Sequence, residues 1–173
     1  MLVFIFGLTR IKKNLKVTVI EHLEAVLDSM DSNADVITNI LEKIERENET
    51  LYDLLLLSPM DDLSESEGDA LMLVFGCIYE SWSKENQIPV FTEEEIASKE
   101  ETVWEILNKK KSREEIIEEF YTTKLDPDIL DFIFSMLDPE EDDQDDDLKI
   151  SDLSKEIMTG CLVTLSELLA DKN

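Results

Sequence analysis

Apolar residues recur at three- and four-residue steps along most of this chain, the spacing of one face of an α-helix. In VTVIEHLEAVLDSM, Val19, Ile20, Leu23, Val26, Leu27 and Met30 form such a row. Val36, Ile37, Ile40, Leu41 and Ile44 repeat it, with Asn33 or Ser32 as the N-cap and EKIEREN as a polar flank. LYDLLLL predicts a short third helix that stops at Ser58-Pro59, because the residue before a proline is pushed out of helical geometry. The polar stretch SPMDDLSESEGD then ends in Ser64-x-x-Glu67. This is a capping box, in which a serine and the glutamate three residues on satisfy each other's backbone N–H groups. From Ala70 to Tyr79 the chain is apolar nearly all round, as expected of a helix central to a bundle.

Two further capping boxes, Thr92-x-x-Glu95 and Ser112-x-x-Glu115, open helices expected to bury Ile96, Val103 and Ile106, then Ile116, Ile117 and Phe120. Asp126-Pro127 is another start signal, since proline at the first helical position gives up no bond the helix could use. A short apolar helix, DILDFIFSMLD, follows it. Leu153, Ile157, Cys161, Leu165 and Leu168 line one face of a final helix that Ser151 or Asp152 can cap. The fold class expected is all-α: a single-domain bundle or short array of seven to eight helices packed as antiparallel hairpins. The expected divisions are an apolar and basic N-terminal segment over 1–16, a helical core over 17–137, an acidic linker over 138–150 and a C-terminal helix over 151–173, packed on the core.

Charge changes this picture more than overall composition does. At 43% hydrophobic and 34% charged, the chain has enough apolar surface for a folded body. Four glycines in 173 residues leave little for a phosphate-cradling loop. Forty-two acids against sixteen bases give a net charge of −26, which repels nucleic acid and anionic lipid and attracts basic partners or cations. The first 16 residues hold Arg10, Lys12, Lys13 and Lys16 and no acid, so the rest of the chain is more acidic still. That segment is expected to fold back onto the acidic body as a strand or helix extension, or to be a partly ordered leader. It has neither a positive n-region nor a cleavage site of the kind a signal peptide needs. A cytoplasmic protein without a membrane span is expected, with Cys77 and Cys161 as reduced core residues.

Candidate chemistry is weak throughout. His22 is the one histidine and sits beside Glu21 and Glu24, with no nucleophile spaced to use it. One histidine and two distant cysteines cannot furnish a zinc site. Glu114, Glu115 and Glu118 match half of a carboxylate magnesium motif, whose other half would have to be Glu140 and Asp143. In DSNADVITNILE, Asp31, Asn33, Asp35, Asn39 and Glu42 fall at the ligand positions of a calcium loop. Val36, however, stands where glycine makes the sharp turn, and helix capping accounts for the same residues. The cluster KKKSR over 109–113 suits the end of one helix and the cap of the next.

The run DPEEDDQDDDLKISD remains. It departs from a calcium loop at Leu148 and Ser154 and reads as a self-repelling linker within reach of a basic partner. Its candidate partner-binding residues are Glu140, Glu141, Asp142, Asp143, Asp145, Asp146 and Asp147. The function expected is that of an acidic all-helical interaction module, an adaptor, an immunity-type inhibitor or a regulatory protein, with a basic protein partner. It would have no active site, cofactor or metal and no direct contact with nucleic acid. The alternatives are a nucleic-acid mimic that blocks a DNA- or RNA-binding protein, and a carboxylate-metal hydrolase.

Overall fold

A computed structural model describes residues 19–33, 35–109, 112–138 and 150–171. Among these residues the chain forms eight α-helices and no strand. In order they are α1 (Val19–Ser32), α2 (Asp35–Glu47), α3 (Glu49–Tyr52), α4 (Glu65–Ser83), α5 (Glu93–Leu107), α6 (Arg113–Phe120), α7 (Pro127–Leu137) and α8 (Asp152–Ala170). None of them is long and apolar enough to cross a membrane.

The starts follow local chemistry. Ser64, Thr92 and Ser112 each close the expected capping box with Glu67, Glu95 and Glu115. Asn33 accepts the N–H of Asp35 at 3.1 Å, Asp126 accepts that of Asp128, and Ser151 accepts that of Ser154. Leu-rich residues 53–62 depart from expectation. Instead of stopping at Ser58, the chain widens into a π turn over Asp53–Leu57, with the Ser58 N–H donating to the Asp53 carbonyl. It then tightens into a 3-10 turn over Ser58–Asp62 that contains Pro59. Ser58 keeps helical angles (φ −58°, ψ −41°). The change of hydrogen-bond register means that no carbonyl one α-turn back has to receive the N–H that Pro59 lacks.

Two helices form the centre. α4 is buried on nearly every side, as its sequence predicts. α8 is buried in the same way, from Met158 through Ser166 without a break, which corrects the expectation of a helix with one apolar face. Leu153, assigned to that face, is 65% exposed. The error lies in the polar residues: Thr159, Thr164 and Ser166 are fully buried although their types usually mark a solvent face. Gly160 belongs to the same set. A Cβ there would come within 3.1 Å of Trp104 Cζ2, so glycine lets the indole of α5 lie against the α8 backbone. α1 and α2 cover α4, α5 and α7 cover α8, and the turns over 53–62 lie against α8, the π turn touching α4 as well. The N-terminal ends of α4 and α8 adjoin, and α5 runs antiparallel to α8, with Lys99 near Glu167 and Trp104 near Gly160.

Of the side chains assigned to the core from the sequence, Ile96, Val103, Ile116 and Phe120 are buried, while Ile106 and Ile117 are half-buried. Cys77 and Cys161 are buried thiols outside any disulfide, and burial pushes both up to about 12. EKIEREN is not simply a polar flank, because Ile44 and Asn48 are both buried. Asn48 donates to the Pro89 carbonyl at 2.8 Å and accepts the Phe91 N–H at 2.9 Å. It thereby holds the connection between α4 and α5 against the end of α2. Its amide nitrogen also donates to the Tyr79 hydroxyl at 3.4 Å; an unpaired amide in that position would cost about 1–3 kcal/mol.

Candidate interaction surface

The seven candidate partner-binding acids, Glu140, Glu141, Asp142, Asp143, Asp145, Asp146 and Asp147, lie outside the described residues, as does the N-terminal segment 1–16. The two ends of the acidic run are described, and both are pinned. At its start, Asp138 follows the last residue of α7 and accepts from Nε and Nη2 of Arg113 (3.2 and 2.9 Å). It also stands 2.6 Å from Nζ of Lys155 in α8. Burial pushes the Asp138 carboxyl up, but hydrogen bonds and charge from Lys155 and Arg113 outweigh it and hold the group below its ordinary range. The same guanidinium donates to Thr159 and lies 5.4 Å from the centre of the Phe134 ring.

At the other end Ile150 is buried, and the Ser151 N–H donates to Oε1 of Glu67 at 2.9 Å. Oε2 of that carboxylate accepts the Ser64 N–H at 2.9 Å and the Ser64 hydroxyl at 2.8 Å. Desolvation raises the Glu67 carboxyl. The backbone N–H groups of Ser151 and Ser64 and the hydroxyls of Ser154 and Ser64 overcome that and hold it at about 2. One carboxylate therefore caps α4 and ties the start of α8 to it, at helix ends whose dipoles both favour negative charge.

The surface around these anchors is acidic on every helix. Glu21, Glu42, Glu49, Glu65, Glu101, Glu118, Asp131 and Glu156 are exposed, one on each of the eight. The bases are largely neutralised. Lys43 pairs with Glu80, Arg46 with Glu47, Lys99 with Glu167 and Asp171, Lys109 with Glu119, and Arg113 and Lys155 with Asp138. Of the KKKSR cluster, Lys109, Ser112 and Arg113 thus have structural partners within the chain.

The chemical alternatives fare differently. His22 Nε2 lies 2.8 Å from Glu85 Oε1 and ties α1 to the end of α4. Asp35, Asn39 and Glu42, candidates for a calcium loop, lie inside α2, so the chain there is helix and not loop. Glu115 spends its carboxylate on the Ser112 N–H, and its would-be partners Glu140 and Asp143 lie outside the described residues. No group of three or more metal-ligating side chains occurs among the described residues. Two shallow grooves are open to solvent. One, of about 410 Å³, lies between the first turns of α5 and the end of α8, where Lys99 is already paired with Glu167 and Asp171. The other, of about 330 Å³, has Val26, Val36 and Ile40 below and Lys43 bonded to Glu80 and Ser83 at its rim. In the first groove the Thr92 hydroxyl and the Glu95 carboxylate are used in the capping box of α5.

Sequence reasoning found Glu67 as a cap but not as the link to Ser151, because that bond joins residues 84 positions apart. Asn48 left a trace: it continues the four-residue row of Ile40 and Ile44. Arg113 left none beyond its place in a basic cluster. No protein-family model, no curated protein and no solved structure matches this chain.

Proposed function

We propose that this chain is an acidic all-helical interaction module, an adaptor, inhibitor or regulatory subunit, and that its partner is a basic protein. The observation that carries this reading is the charge imbalance at the surface. Every described helix presents an exposed carboxylate to solvent, while Lys43, Arg46, Lys99, Lys109, Arg113 and Lys155 are paired within the chain. Such a field speeds encounter with a basic surface and makes binding sensitive to salt. The sequence adds seven acids over residues 140–147, between Asp138 and Ser151, which are both held to the helices.

Capture on the immobilised full chain from native lysate tests the proposal. Proteins of high isoelectric point are expected to bind at low salt and to elute as salt rises. Retention of nothing at low salt, or of partners that salt does not release, contradicts it. Captured proteins that a DNA duplex displaces would establish a nucleic-acid mimic instead.

A further inference from the structure

Four large apolar side chains are exposed among the described residues: Leu57 at 47%, Val90 at 71%, Tyr121 at 39% and Leu153 at 65%. The fold brings two of them to one end of the molecule. Glu67 joins the first turn of α4 to Ser151, so Leu153 in the first turn of α8 stands at the N-terminal end of both central helices. The 3-10 turn that follows Leu57 lies on that end too. Met60 Sδ is 2.8 Å from where a Cβ on Gly68 would sit, and both the π turn and the 3-10 turn contact α8. Met60 and Leu63 are half-buried beside them.

Among the described residues, the unpaired charge at this end has one sign. Asp61, Asp62, Glu65, Asp69, Asp152 and Glu156 are exposed, and no base occurs from residue 57 to residue 69. Lys155, the base of the neighbouring α8 turn, is held by Asp138. Exposed leucines at an end whose described carboxylates have no unpaired described base beside them suit an apolar anchor carried on a cationic segment, since the carboxylates steer the cation and the leucines hold the anchor.

We propose that this end is the docking surface of the module, and that its occupant is a basic amphipathic helix of the partner, with Leu57 and Leu153 receiving its apolar face. The proposal rests on the basic-partner reading and adds a location to it. The test uses the full chain and two labelled probes at low salt: an 18-residue amphipathic helix of leucine and lysine, and polylysine of similar charge. The double variant L57S/L153S is compared with V90S, which removes an exposed apolar side chain from the connection between α4 and α5. Both leucines face solvent, so the helical circular dichroism signal should be retained. Should the double variant unfold, L153S alone serves.

The amphipathic probe is expected to bind the leucine variant at least tenfold more weakly, with V90S and the polylysine affinity unchanged. Equal binding of the amphipathic probe to all variants overturns the location and leaves the basic-partner reading standing. Failure of both probes to bind the wild-type chain overturns both. A wild-type dimer in solution that L57S/L153S abolishes would assign this end to a second copy and also overturn the proposal.

Discussion

Glu67 is the residue on which the arrangement of the two central helices turns. Its carboxyl titrates at about 2 in the folded chain against an ordinary 4.5, so the unfolded chain binds the proton first as pH falls. The stability it contributes is therefore complete above 4.5 and is lost as pH drops from there towards 2. In Glu67→Gln one oxygen is replaced by an N–H donor facing the donors at Ser64 and Ser151. Urea unfolding at neutral pH should show a loss of about 1–3 kcal/mol. The gap from wild type should narrow below pH 4.5, and a gap constant down to the acid limit would mean that the carboxylate charge is not what these N–H groups hold. Asn48 has a comparable position without a charge: both side chains are polar, buried and bonded to backbone far away in sequence.

At the scale of elements, the contacts on either side of residues 139–149 are made by Asp138, Ser151 and the helices they touch. Asp138 and Lys155 are in direct contact, and Lys155 lies one turn into α8. After deletion of residues 140–146, the five residues remaining between Asp138 and Ser151 can reach up to about 20 Å. The deletion also removes like charges that repel one another. The expected melting temperature is unchanged or slightly raised in a thermal scan, whereas a drop of many degrees would show that the run packs on the helices.

Element starts were legible because capping is local. A serine or threonine and a glutamate three residues apart settle α4, α5 and α6 without reference to the rest of the chain. The passage through Pro59 was not legible, because a π turn depends on how Leu55 and Leu56 are buried against other helices. Nor was the central place of α8. Its Thr159, Gly160 and Thr164 look like a polar face until Trp104 and Arg113 arrive from distant segments to pack on it or bond to it. The acids of 140–147 are read from composition alone. The anchoring of Asp138 and Ser151 on either side of them, by Arg113, Lys155 and Glu67, was not legible, since each of those contacts is made across the fold.

Taken whole, the molecule is a helical body at −26 whose internal pairs use up most of its described cations. A field of that sign reaches about 10 Å from the surface at 0.1 M salt and about 3 Å at 1 M. Association driven by it must weaken as salt is added, whereas association through apolar burial alone would not. The most direct measurement is the dissociation constant of a purified captured partner, read by fluorescence anisotropy from low to several-fold physiological salt. The proposed function predicts a steady rise of at least about tenfold over that range, most of it in the association rate. A dissociation constant that does not change with salt would contradict it.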